Sequence, residues 1–102
     1  MKVYKLEPLG DLQQVDIPNE LAPLQEAVGG WIEVVSLSGV NGNTVIICDE
    51  EGKLKGKEPC AFIRGEVFVG TILFAGVDRR GEFCDCPMTE DEIRTRIGRR
   101  IA

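Results

Sequence analysis

Hydrophobic residues in this chain come in short runs broken by charges, glycines and prolines, and the spacing within each run separates strand from helix. Val3, Tyr4 and Leu6 interleaved with Lys2, Lys5 and Glu7 predict an opening strand closed by Pro8 and Gly10, and a second extended piece covers Leu12 to Ile17. From Asn19 to Gly30 the period changes, because Leu21, Leu24 and Val28 recur every three or four residues on one helical face. Asn19 can cap this short helix, or Pro23 can open it at the first helical position, and Gly29 supplies the left-handed residue that ends it.

The β-branched runs Trp31–Leu37 and Thr44–Asp49 flank the turn formers 38–43, which include Asn41-Gly42, and predict a hairpin. Asp49-Glu50-Glu51-Gly52 reads as a tight turn, and Lys53 to Lys57 as an exposed edge or loop whose alternating lysines discourage edge-to-edge association. Val67–Val77 is the most apolar stretch, expected at the centre of the sheet with Gly70 as a bend or bulge. After the turn 78–81, Glu82 to Cys86 returns beside it as a short strand. The last helix is expected over Met88–Ile101, with Thr89 and Glu92 as a capping box, Met88 and Ile93 as a hydrophobic staple, and Ile93, Ile97 and Ile101 as its buried stripe. Together these elements predict one α+β domain over residues 1–102. Its sheet is mainly antiparallel or mixed, of about four to six strands, with a short helix after the second strand and a C-terminal helix.

Composition narrows what such a domain does. A chain of 102 residues that is 43% hydrophobic has one core and not two. Its apolar runs are too short for a membrane span, and its start lacks the apolar stretch of a secretory signal, so a cytoplasmic protein is expected, in the host bacterial cytoplasm if a phage encodes it. The net charge of −5 argues against broad binding to nucleic acid, and no sequence-specific nucleic-acid contact and no membrane contact is expected. The charge is uneven, however. Acids cluster at Asp49-Glu50-Glu51 and Glu90-Asp91-Glu92, while Arg94, Arg96, Arg99 and Arg100 make the C-terminus basic.

The residue types that usually carry catalysis are scarce. With no histidine, with serine only at 36 and 38, and with no glycine-rich phosphate loop, the common hydrolase and nucleotide-triphosphatase designs are missing, and no catalytic residue is assigned. Cys48, Cys60, Cys84 and Cys86 read as reduced thiols, since the spacing fits no familiar zinc knuckle, and neither a metal nor another cofactor is expected. Trp31, the sole tryptophan, reads as a core anchor.

Leu24-Gln25-Glu26-Ala27-Val28-Gly29-Gly30-Trp31-Ile32-Glu33 followed by Glu51-Gly52-Lys53-Leu54 resembles the family catalogued as domain of unknown function 3846. The resemblance runs on through Gly70–Phe74 and the helix start Thr89–Glu92, although this chain has Glu58-Pro59-Cys60-Ala61 where members tend to have Pro-x-Asn. It carries no activity. It implies a small domain of bacteriophages, plasmids or other mobile elements of bacteria, where accessory proteins interfere with host functions.

Three functions follow in order. The first is a non-enzymatic accessory protein that sequesters a small anionic ligand, such as a nucleotide immune signal, inside a homodimer or larger oligomer, with Trp31, Lys53, Lys55, Arg64, Arg79 and Arg80 as the candidate binding residues. The second is an inhibitor of a host protein that uses its own acidic surface as a nucleic-acid mimic or covers the partner's active site. An enzyme comes third. Charge placement separates the first two, because an anion binder gathers its basic residues around one pocket near Trp31, whereas a mimic presents Asp49, Glu50, Glu51, Glu90 and Asp91 as one face.

Overall fold

In a computed structural model, described here for residues 1–37, 43–97 and 99–100, the elements run β1 (Lys2–Leu6), β2 (Gln13–Asp16), α1 (Leu21–Val28), β3 (Ile32–Ser36) and β4 (Thr44–Asp49). They continue with β5 (Pro59–Ile63), β6 (Glu66–Val69), β7 (Ile72–Val77), β8 (Phe83–Cys84), α2 (Glu90–Arg96) and β9 (Arg99–Arg100). A six-stranded antiparallel sheet has the order β2-β1-β7-β4-β3, with β8 also paired to β7. A second sheet of three strands, β6-β5-β9, is antiparallel too. The α+β class, the hairpin β3–β4 and the central place of β7 are as the hydrophobic pattern predicts.

β4 and β7 read as unbroken apolar runs because both their faces are covered. Val45, Ile47, Leu73 and Ala75 point to one face, where they bury Leu24 and Val28 of α1. Ile46, Cys48, Ile72 and Phe74 point to the other, where they meet Cys60, Ala61, Ile63 and Phe68 of the small sheet and Met88 and Ile93 at the start of α2. The period-2 alternation of side chains thus divides one apolar stretch between two cores. Each fully buried side chain such as Phe74 or Ile47 contributes about 1.5–3 kcal/mol.

Several expectations need correction. Gly70 does more than bend a strand: at φ 72° it breaks the run 67–77 into β6 and β7, which belong to different sheets. In α1, Glu20 is the N-cap and makes no side-chain cap bond, while Asn19 donates to the Phe83 carbonyl at 2.7 Å. Pro23 is therefore the third helical residue, which is tolerated because the first N–H groups of a helix have no partner within it. Leu21 is exposed, so the apolar face of α1 is buried only from Leu24 onward. The last helix stops at Arg96 instead of reaching Ile101, because Arg99 and Arg100 pair with Phe62 and Ala61 and satisfy the outer edge of β5. Ile97 packs against the core as expected, whereas Ile101 lies outside the described residues, as does most of the Asn-Gly turn. The capping box of Thr89 and Glu92 is present, with bonds of 3.2 and 3.0 Å. Among the described residues no helix is long and apolar enough to cross a membrane.

Candidate functional site

β4 ends at Asp49, a position buried by the layers on either side, and the connection from residue 50 to 58 folds back over the C-terminus of α1. The Asp49 side chain is 1% exposed and accepts from Lys55 Nζ at 2.8 Å and Lys57 Nζ at 2.6 Å through Oδ2. Its Oδ1 accepts from the Glu51 amide at 2.9 Å, and the Gly52 amide bonds the Asp49 carbonyl, so the predicted turn forms. The same two ammonium groups donate onward to the end of the helix: Lys57 to the Val28 carbonyl at 2.8 Å, and Lys55 to the Gly29 carbonyl at 3.2 Å. Carbonyls at a helix C-terminus lack intrahelical donors and carry partial negative charge, so cations suit them.

This clasp needs both glycines before β3. Gly29 sits at φ 82°, ending α1 in the left-handed region, as expected. Gly30 lies directly under the ion pair, where a Cβ would come within 2.6 Å of both Asp49 Oδ1 and Lys55 Nζ. Burial pushes the Asp49 carboxyl up, but the hydrogen bonds from Lys55, Lys57 and the Glu51 amide outweigh it and hold the group at about 2. Lys55 and Lys57 are therefore bound to Asp49 and the helix end and do not form a solvated edge. Lys53 fits the expected picture better, with its Nζ 4.0 Å from Glu66 and its side chain exposed.

Beside the clasp is an open hollow of about 350 Å³ lined by Gln25, Gly30, Trp31, Glu51 and Lys55. Trp31 is not a core anchor: it is 64% exposed. Its carbonyl accepts from the Glu50 amide at 2.8 Å, which fixes its backbone at the head of β3, while Ile32 takes the inward place and leaves the indole outside. Leu54 is 86% exposed in the turn that carries Lys55, and Val34 on β3 is 45% exposed. Of the six large hydrophobic residues exposed among the described residues, Leu21 is on α1 and Leu54 is in the turn that Asp49 and its lysines join to the end of that helix, and Trp31 stands between α1 and β3.

The other candidate basic residues lie elsewhere. Lys53 lines a cavity of about 210 Å³ with Glu33, Cys48 and Leu54. Arg64, at φ 53°, lines one of about 250 Å³ between β3 and β6, and its Nη1 donates to the Ser36 and Leu37 carbonyls at 3.3 and 3.1 Å. Arg79 and Arg80 are exposed in the turn between β7 and β8 and line none of these three cavities. The fold brings Trp31 and Lys55 together and leaves Lys53, Arg64, Arg79 and Arg80 outside their hollow. The acidic residues separate as well, since Asp49 is buried and Glu90, Asp91 and Glu92 start α2.

Sequence reasoning assigned Asp49 to a turn and Lys57 to an edge, and so missed the ion-paired centre. The available signal was an aspartate closing the apolar run Val45–Cys48, followed by lysines six and eight positions later. All four cysteines are free thiols. Burial, followed by the charges of Glu33, Glu66 and Asp49, pushes the Cys48 thiol up to about 11, which keeps it protonated at neutral pH. Among the described residues no group of three or more cysteine and carboxylate side chains is placed to hold a metal ion.

Fold and site together define a two-sheet α+β domain with a helix end pinned by a buried aspartate and two lysines, and with an exposed tryptophan beside it. The family model described as "Domain of unknown function (DUF3846)" matches residues 1–98, and the chain belongs to that family. Part of what carried the resemblance lies at this site: Val28, Gly29, Gly30, Glu51 and Gly52 touch Asp49 or its lysines, whereas Ile72–Phe74 and Thr89–Glu92 lie elsewhere in the chain. No curated protein and no solved structure matches the chain.

Proposed function

We propose that this is a non-enzymatic accessory domain that binds another protein through the surface around Trp31. The observation that carries the reading is the exposed indole, held at the head of β3 beside a hollow and backed by the Asp49 ion pairs. Tryptophan anchors are characteristic of the small set of residues that dominate protein–protein binding energy, and a fixed backbone lowers the entropy lost on docking. Leu54, in the turn that carries Lys55, adds exposed apolar area, while Glu51 and Lys55 supply a polar rim to the hollow. The scarcity of general acids, bases and activated nucleophiles supports a binding role over a catalytic one.

A photo-crosslinking amino acid at Gln25, in cells that express the chain, identifies what rests on the hollow. The captured protein, once purified, is then titrated against wild type and Trp31→Ala. Weakening of at least about tenfold is expected for a central tryptophan anchor. Equal affinity of the two chains removes Trp31 from the interface and with it this reading.

A second reading, sequestration of a small anionic ligand, draws on the pairing of Trp31 with Lys55 in one hollow, where an aromatic base can stack on the indole beside an ammonium. A panel of cyclic and linear nucleotides at roughly millimolar concentration then raises the melting temperature of wild type and not of Trp31→Ala. No shift with any member of the panel ends that reading.

A further inference from the structure

We propose that a second copy of this chain pairs antiparallel with β3 across a two-fold axis at Val34, joining two six-stranded sheets into one. β3 is an outer strand of the large sheet, and its ladder to β4 fixes which of its backbone groups point outward. The Trp31 carbonyl accepts from the Glu50 amide at one end, and the Leu37 amide donates to the Thr44 carbonyl at the other. Odd-numbered residues therefore face β4, and the N–H and C=O groups of Ile32, Val34 and Ser36 face away from it. Among the described residues, no hydrogen bond reaches the outward groups of Ile32 or Val34, and only the Ser36 carbonyl is covered, by Arg64 Nη1.

The opposite edge of the sheet differs. β2 carries Gln13, Gln14 and Asp16, all exposed, and Asp16 is paired with the amino terminus at 3.9 Å. Polar and charged residues on an edge discourage pairing, and β3 carries fewer of them: Glu33 and Ser36 are exposed, but Ile32, Val34 and Val35 are apolar and Val34 is half-exposed.

A second copy fits this edge because the strand is complementary to itself in one register. With Val34 opposite its own copy, Ile32 faces Ser36 and each pair exchanges both backbone bonds. Glu33 then falls opposite Val35. Shifting the axis to Glu33 places two carboxylates directly opposite each other, which is destabilising, and shifting it to Val35 leaves Ile32 without a partner inside the strand, so only the Val34 register pairs all three outward residues without opposing like charges. The Ser36 carbonyl has a second lone pair, so it can accept from the partner's Ile32 amide while Arg64 stays in place. In this arrangement Trp31 lies opposite Leu37 of the partner, and the two indoles stand about 20 Å apart along the strands, six residues at about 3.4 Å each. The assembly is then bivalent toward whatever Trp31 binds, yet it rests on the backbone of β3 and not on that ligand.

Sedimentation of wild type, Val34→Lys and Val34→Glu over roughly 5–200 µM tests the pairing, with circular dichroism and melting used to check that each variant is folded. Wild type is expected to be a dimer at tens of micromolar, and each variant a monomer, since each sets like charges opposite at the axis. An equimolar mixture of the two variants is expected to restore the dimer, because the ammonium introduced in one chain then faces the carboxylate introduced in the other across the axis. A wild-type monomer throughout the range overturns the proposal. So does a dimer that survives Val34→Lys, or a mixture of folded variants that stays monomeric. Retention of the dimer in Trp31→Ala separates this pairing from the docking at Trp31, so either can fail without the other.

Discussion

Asp49 is a carboxylate withdrawn from water at the end of a buried strand, and its charge persists because two ammonium groups and an amide replace the lost solvent. Asp49→Asn leaves Lys57 against the Val28 carbonyl without its anion and is expected to cost on the order of 3 kcal/mol, read from urea unfolding. The pH dependence has a definite sign. A folded value of about 2 against an ordinary 3.8 means that the unfolded chain binds the extra proton between these values, so stability rises with pH there. The contribution is complete above about pH 5 and is lost as pH falls toward 2. Wild type therefore loses on the order of 2 kcal/mol more than Asp49→Asn over that interval, measured by denaturant titration at each pH. Cys48 and Cys60 are buried, and the raised Cys48 thiol stays protonated, so iodoacetamide at pH 8 is expected to spare both until the chain unfolds, as peptide mass spectrometry reads. At this scale the sequence shows the residue types well and their partners poorly. Nothing local in Asp49-Glu50-Glu51-Gly52 says that the carboxylate will meet lysines and helix carbonyls brought to it by the following turn.

Elements follow their local signals most closely where those signals satisfy backbone groups within a few residues. The capping box of α2 is such a case, and Thr89→Ala is expected to lower stability by about 1 kcal/mol in thermal or urea unfolding. Where elements press together, glycine has a different meaning. Gly30→Ala drives a methyl group into Asp49 and Lys55 and is expected to cost at least about 2 kcal/mol, whereas Gly81→Ala meets no neighbouring atom and is strained only by its φ of 82°. Gly76 of β7 is closed in by the Asp85 backbone carbonyl and the Cys84 thiol, so a methyl group there displaces β8. The same contrast explains the C-terminus. The apolar stripe Ile93–Ile97 marks a helix, but the unpaired edge of β5 draws Arg99 and Arg100 into a strand, a demand that originates about 40 residues earlier in the chain.

For the whole molecule, two apolar clusters on opposite faces of one sheet account for a chain of this size folding without disulfides. The two proposals rest on different parts of its surface: docking of a partner on the Trp31 hollow, and backbone pairing of a second copy on the edge of β3. Val34→Lys is expected to change assembly and leave the melting temperature of the monomer nearly unchanged, whereas Trp31→Ala is expected to change partner affinity at constant assembly state. Sedimentation and titration read these separately.

The order of residues by itself determined the α+β class, the hairpin of β3 and β4, the central strand β7, the left-handed glycine after α1 and the capped start of α2. Each depends on periodicity or on bonds between near neighbours, which the order of residues encodes directly. Only the tertiary structure decided that Gly70 separates two sheets, that Trp31 stands outside the core, that Lys55 and Lys57 belong to Asp49, and that Arg64 lies apart from Lys55. These outcomes depend on which faces are covered by elements distant in the chain. Burial and ion pairing are properties of the assembled layers, and no window of neighbouring residues contains them.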